Sequence, residues 1–309
     1  MSTGASAPAG GAGPGIWIAG ARPRTLGAGL VPVLVGAAAA GEMIWWRFAA
    51  ALVVALGLQI GVNYANDYFD GVRGVDTAER VGPVRLTASG AASPRAVLTA
   101  ALGALVVAAI AGLGLALATA PVLILLVGAL ALVAALLYSG GPRPYAGLGL
   151  GEVIVFCFFG LMAVCGTAYV LAETIPASAW WSGGAIGWLA VAILVANNLR
   201  DIPTDAASGK RTLAVRIGDM ATRRLYRGVV ALAYATIVAG TVVHLLDLDA
   251  GLTPWALIAL VSWPLAIRPM ERVGTASGRD LVPVLTGTAA LHAAFGVALA
   301  LGLFLERTV

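Results

Sequence analysis

Charge is scarce in this sequence. Of its 309 residues, 11% are Asp, Glu, Lys or Arg and 60% are hydrophobic, whereas a soluble domain carries about 25% charge. So few ionic groups cannot clothe a surface in water, which excludes a soluble globular fold. Cysteine is nearly missing too. Cys157 and Cys165 fall within one predicted helix, over two turns apart, so they cannot bridge each other there and match no metal spacing. They are read as small buried fillers. The two histidines are placed apart, His244 at an outer surface and His292 packed within the last helix. No basic residue precedes Arg22, so the opening lacks the positive region of a signal peptide. Residues 1–15, rich in Gly, Ala and Pro, are expected to form a disordered tail ahead of one transmembrane domain over 16–309.

What is abundant is long apolar runs. A bilayer core of about 30 Å needs roughly 20 apolar residues per helix. Nine stretches approach this, near 25–41, 48–66, 96–118, 121–139, 150–172, 183–199, 228–246, 254–267 and 282–304. They are too long and continuous for the alternating strands of a barrel. The expected fold is all-α, a polytopic membrane bundle of about nine helices around a central cavity.

The net charge of +4 is a matter of orientation and does not indicate nucleic acid. With the N-terminus in the cytoplasm and nine crossings, every Lys and Arg except Arg47 and Arg307 falls inside, as the positive-inside rule requires. The expected location is the plasma membrane, with the functional face toward the cytoplasm. The long, charged cytoplasmic connections are 67–95 and 200–227, and loops on a rigid scaffold tend to carry function.

Each of those connections starts with Asn and Asp residues at a helix end. The first reads Asn63-Tyr-Ala-Asn66-Asp67-Tyr-Phe-Asp70, followed by Gly71 to Asp76. The second reads Asn197-Asn198-Leu-Arg200-Asp201-Ile-Pro-Thr-Asp205, then Ser208-Gly209-Lys210-Arg211. If the helices persist, Asn63, Asp67 and Asp70 share one face, and so do Asn197, Asp201 and Asp205. Pro203 need not turn either carboxylate away.

Two carboxylates about 5 Å apart repel by roughly 3 kcal/mol at an effective dielectric of 20. Basic partners, protonation or divalent cations could compensate. Converging oxygens without Cys or His select a hard ion such as Mg²⁺, which favours one or two carboxylates per ion plus substrate phosphates. Asp67, Asp70, Asp201, Asp205 and Asn63 are the candidate ligands, with Asn66 beside them. Lys210, Arg211, Arg143, Arg73, Arg80 and Arg85 share that side and could engage diphosphate oxygens, although topology alone also places basic residues there.

Asp67-x-x-Asp70-Gly71 begins like the CDP-alcohol phosphotransferase signature. The continuation fails at Gly74-Val75, and the later aspartates of that pattern are absent. The string Asn66-Asp67-Tyr68-Phe69-Asp70, with Gly74-Val75-Asp76 and Arg80-Val81-Gly82-Pro83, resembles the first aspartate motif of the UbiA superfamily of intramembrane prenyltransferases. Asn198-Leu-Arg-Asp201 through Asp205 to Gly209-Lys-Arg-Thr-Leu-Ala-Val-Arg216 resembles the second. Within the superfamily, Arg22-Pro-Arg24-Thr25, Tyr138-Ser-Gly-Gly-Pro-Arg143-Pro-Tyr145, Gly149-Leu-Gly-Glu152 and Leu291-His292 resemble the 1,4-dihydroxy-2-naphthoate branch.

The resemblance implies a nine-helix fold and Mg²⁺ held by the four aspartates. It also implies a polyprenyl diphosphate donor, an aromatic acceptor and an allylic cation shielded from water. Lys210, Arg211, Arg143, Arg22, Tyr138, Tyr145, Asp76, Asn197 and Glu152 are the expected substrate contacts. Glu152 could orient a ring hydroxyl, act as a base, or merely sit at a helix N-terminus. Other readings are a different aromatic acceptor such as 4-hydroxybenzoate, an ion-coupled transporter and a non-catalytic membrane scaffold. Transporters keep their charges near the bilayer midplane, whereas these acids cluster at helix ends.

Overall fold

In lipid, every backbone N–H and C=O has to be satisfied within the protein, and the chain meets that demand with helices. The computed structural model describes residues 13–74, 85–142, 144–246, 248 and 250–306, and no strand occurs among them. Of the expected tail, residues 1–12 lie outside the described residues, while Pro14 already begins the helix α1 (Pro14–Ala21).

Among the described residues, seven helical stretches are long and apolar enough to cross a membrane. They are α2 (Pro23–Ala40), α3 (Trp45–Val72), α4 (Pro94–Ala118), the stretch Gly151–Ala172, α8 (Ala177–Ala207), α10 (Asp219–Leu245) and Gly278–Leu305, whose α-helical part is α12 (Val282–Leu305). The other two expected stretches are helical but shorter or irregular. One is α5 (Pro121–Leu137), and the other is a 3₁₀ segment, Pro254–Ser262, running into α11 (Trp263–Arg272). The short α9 (Leu213–Ile217) links α8 to α10.

The stretch Gly151–Ala172 is not one uniform helix. It opens as α6 (Gly151–Val155), widens into a π-helix over Phe156–Met162 and closes as α7 (Ala163–Ala172). At the wide turn a Cβ on Gly160 would stand 2.5 Å from Gly187 Cα and 2.6 Å from Gly183 O. Backbone therefore lies on backbone, the packing that small residues four apart permit in lipid.

The two longest helices exceed the bilayer core by the most. At 1.5 Å per residue, α3 is about 42 Å long and α8 about 46 Å, against a hydrocarbon core of about 30 Å. Their last turns meet at the same end of the bundle, where Asp70 and Asp205 line one cavity. The main buried cluster joins α2, α7, α8, α10, α11 and α12 through residues such as Val35, Ile186, Tyr226 and Phe295. A second cluster seats α1 against α3, where the Tyr64 hydroxyl donates to Trp17 O at 2.6 Å.

Arg47, one of the two exceptions to the charge pattern, has a structural role at the opposite end. Its Nη1 donates to Val170 O at 3.1 Å and to Glu173 Oε1 at 3.0 Å, and its Nη2 donates to Ala118 O at 3.0 Å. One guanidinium thus satisfies the carbonyl ends of α7 and α4, where the helix dipoles favour a cation. Arg47→Ala is expected to lower unfolding free energy by about 2 kcal/mol, read as a reduced melting temperature in detergent with catalytic rate at low temperature unchanged.

Candidate active site

The last turns of α3 and α8 carry both acidic motifs. Each helix persists through its motif, to Val72 and Ala207, with Pro203 accommodated inside α8. Asn66 and Asp70 stand four apart on α3, and Asn197, Asp201 and Asp205 repeat that spacing on α8. All five, with Arg22, Arg85, Tyr138, Asn198 and Lys210, line one narrow cavity of about 50 Å³. The three aspartates are 5%, 3% and 4% exposed in sequence order.

Lys210 ties the two helices together. Gly209 adopts a φ of +76°, the left-handed conformation that ends a helix. The reversal lets the Lys210 N–H donate to Asp205 O at 2.8 Å. Lys210 Nζ then stands 3.8 Å from Asp70 Oδ2 and 4.0 Å from Asp205 Oδ1. A single ammonium therefore sits between carboxylates from segments more than a hundred residues apart. Asp201 is held differently: Arg200 Nε meets Oδ1 at 2.7 Å and Arg200 Nη2 meets Oδ2 at 2.8 Å. The same Nη2 donates to Asn197 Oδ1 at 2.8 Å.

Asp67 and Asn63 point elsewhere. Asp67, 1% exposed, accepts the backbone N–H of Leu86 at 2.8 Å and of Thr87 at 2.9 Å. It anchors the turn over residues 86–90, and both its oxygens are engaged there. Replacing it with Ala leaves two N–H groups without their acceptor. The expected cost is about 3 kcal/mol, measured as a lower melting temperature and faster proteolysis near residue 86. Asn63 Nδ2 donates to Ala21 O at 2.9 Å and to Thr25 Oγ1 at 3.2 Å. It clamps the α1–α2 junction, where Arg22 takes a φ of +54°, a left-handed conformation that costs a non-glycine residue about 1–2 kcal/mol. Asn63 thus supports the site indirectly, through the corner that brings Arg22 to the cavity.

Asn66 Oδ1 accepts the Ser139 hydroxyl at 2.7 Å. Arg73 Nη1 reaches Ser139 O at 2.7 Å, and Arg73 Nη2 reaches Gly141 O. These bonds fasten the chain after α5 to the end of α3 and set Tyr138 in the cavity wall. Burial raises the Tyr138 phenol pKa, and the negative charges of Asp70, Glu152 and Asp205 raise it further. Tyr145 packs edge-on against it with ring centroids 5.4 Å apart, and its hydroxyl donates to Ala134 O at 2.9 Å. Burial and the neighbouring Tyr138 raise its pKa as well. Both rings stay neutral at physiological pH. Glu152, 8% exposed, accepts the Asn198 amide at 3.0 Å.

The exposed Arg211 is not part of the cavity wall and uses its carbonyl to hold Arg216 Nε at 3.0 Å. Asp76, Arg80 and Arg143 lie outside the described residues. Asn198 and Ser139 join the site without a sign in the sequence, because nothing local marks an Asn or Ser as facing a distant helix. Among the described residues, no three acidic or imidazole groups converge as a ready-made metal cage. The arrangement is a charged, oxygen-rich recess at the end of a membrane bundle, with cations on its rim.

Comparison with known proteins agrees with that description. Residues 29–273 match the UbiA prenyltransferase family. The 1,4-dihydroxy-2-naphthoate octaprenyltransferase of Mycobacterium tuberculosis is 50% identical, covering 92% of this chain and 96% of that protein. The Escherichia coli protein of the same name is 34% identical, covering 83% and 84%. Among solved structures, a UbiA homolog from Aeropyrum pernix superposes with a TM-score of 0.69 at 17% identity, covering 93% of this chain and 99% of that one. A UbiA homolog from Archaeoglobus fulgidus, bound to GPP and Mg²⁺, does so with a TM-score of 0.58 at 15% identity, covering 92% and 99%. The chain is a polytopic membrane enzyme and belongs to the UbiA prenyltransferase family.

Proposed function

We propose that this protein transfers a polyprenyl group from polyprenyl diphosphate to 1,4-dihydroxy-2-naphthoate. Carboxylate is lost, diphosphate is released and demethylmenaquinol is formed. The reaction is placed in the plasma membrane, with the aspartate-bearing face and the N-terminus toward the cytoplasm. The relatives named for that transfer support the substrate pair. The observation that carries the reading is the Lys210 ammonium between Asp70 and Asp205, since it marks one spot where both halves of the chain call for positive charge.

The donor set fits Mg²⁺. The cavity offers carboxylate and amide oxygens and no sulfur or imidazole, which suits a hard ion, and the lysine already stands in for a cation there. One or two carboxylates among Asp70, Asp201 and Asp205, with Asn66 or Asn197, would hold each ion, diphosphate and water supplying the remaining oxygens, and the chemistry it supplies when bound is neutralisation of the leaving diphosphate. The rest falls to the chain. Arg22 and Lys210 bind phosphate oxygens through charge-assisted hydrogen bonds. The neutral Tyr138 offers a ring face to the developing allylic cation. Buried helix walls exclude water that would otherwise capture it.

The test is product identification. Purified protein is incubated with Mg²⁺, a polyprenyl diphosphate and, separately, dihydroxynaphthoate or 4-hydroxybenzoate. The expected product arises from dihydroxynaphthoate, lighter than the simple adduct by one carbon dioxide. Prenylation of 4-hydroxybenzoate alone, or no prenylated product from either acid, overturns the reading.

A further inference from the structure

Glu152 is a buried acidic group that the aspartate site does not use. It lies at the start of α6, is 8% exposed and accepts the Asn198 amide at 3.0 Å. Among the described residues no basic side chain forms an ion pair with it. A carboxylate buried with only neutral hydrogen-bond donors is costly to retain, so a role that requires it is indicated.

Its surroundings suggest the role. Asn198 lines the cavity, and Glu152 is near enough to Tyr138, another lining residue, to act on its phenol together with Asp70 and Asp205. One helical turn further along, Phe156 packs against Trp188, ring centroids 4.3 Å apart and planes tilted by 42°, and both rings are only partly buried. An acidic group hydrogen-bonded to a residue of the recess wall, with an aromatic pair one turn along its helix, suits a planar hydroxyarene.

We propose that Glu152 is the catalytic base for the acceptor, held in register by Asn198. This rests on the proposed transfer to dihydroxynaphthoate. The ring hydroxyl O–H bond breaks and its proton goes to the Glu152 carboxylate. The oxygen electrons become a ring C=O as the adjacent, carboxylate-bearing ring carbon bonds to the allylic carbon, whose C–O bond breaks with its electron pair leaving on diphosphate. The carboxylate then departs as carbon dioxide, its bonding pair restores the aromatic ring, and the resulting oxyanion takes the proton back from Glu152. The residue ends the cycle as it began, and no oxidant or reductant is required.

The test compares wild-type protein with Glu152→Gln, which keeps the shape of the side chain and its contact with Asn198. Binding of a non-transferable prenyl thiolodiphosphate with Mg²⁺ is measured by calorimetry, and turnover with dihydroxynaphthoate by mass spectrometry. The expected result is a kcat lower by roughly 10²–10⁴-fold, with donor affinity and melting temperature unchanged. Glu152→Asp is expected to recover part of the rate, and Asn198→Ala to raise KM for the acceptor. Wild-type kcat in Glu152→Gln overturns the assignment, as does a parallel loss of donor binding, which marks a structural residue. A wild-type protein that does not prenylate dihydroxynaphthoate removes the transfer reading itself, a result distinct from a normal wild type with an unaffected variant.

Discussion

Asp70→Asn and Asp205→Asn are each expected to lower turnover by roughly 10³-fold or more while the bundle keeps its melting temperature. The size follows from removing a charged oxygen that acts on the leaving diphosphate in a water-poor recess, where each preorganised group contributes about 3–4 kcal/mol to the transition state. Stability is spared because Asn keeps the shape of the side chain and one oxygen acceptor for its neighbours. Lys210, 3.8 and 4.0 Å from the two carboxylates with its side chain 20% exposed, keeps one carboxylate and water in either variant. Product formation at saturating donor and a thermal melt in detergent check both halves. Near-normal turnover in both variants would mean that the two acidic helices do not share a ligand.

Asp201→Ala behaves differently, because it also destabilises. Arg200 is 8% exposed and makes a bidentate contact with this carboxylate. Truncating the partner leaves a buried guanidinium with the Asn197 amide oxygen in place of a counter-charge, at an expected cost of about 3–5 kcal/mol. Pairing Asp201→Ala with Arg200→Met is expected to restore most of the stability and none of the turnover. Chaotrope unfolding and product assay on the same three proteins separate the two effects. A single Asp201→Ala variant as stable as wild type would show that the pair is dispensable to the fold.

The helices and the end of the bundle that bears the acids are legible in the sequence, because lipid leaves a chain few alternatives and apolar length is a direct measure of span. The pairing of acids is only half legible. Asn63–Asp67 and Asn66–Asp70 are both four apart on one helix and differ by about 60° of rotation. Periodicity alone cannot choose between them. What decides is tertiary: the Leu86 and Thr87 N–H groups claim Asp67, and the α1–α2 corner claims Asn63, which leaves Asn66 and Asp70 for the cavity. The second motif needed no such choice, since Asn197, Asp201 and Asp205 have one spacing and all reach the recess. The π-helix over Phe156–Met162 had no readable sign, because Gly160 owes its place to Gly183 and Gly187 on another helix.

The turn at Gly209 has a consequence for how the molecule comes together. Its lysine is tethered to the chain, so the approach of the two acidic helices does not wait for a soluble counter-ion. Biogenesis in the bilayer can finish with both halves seated, even in chelating buffer. Arrival of the donor then amounts to an exchange of counter-charges within a finished framework.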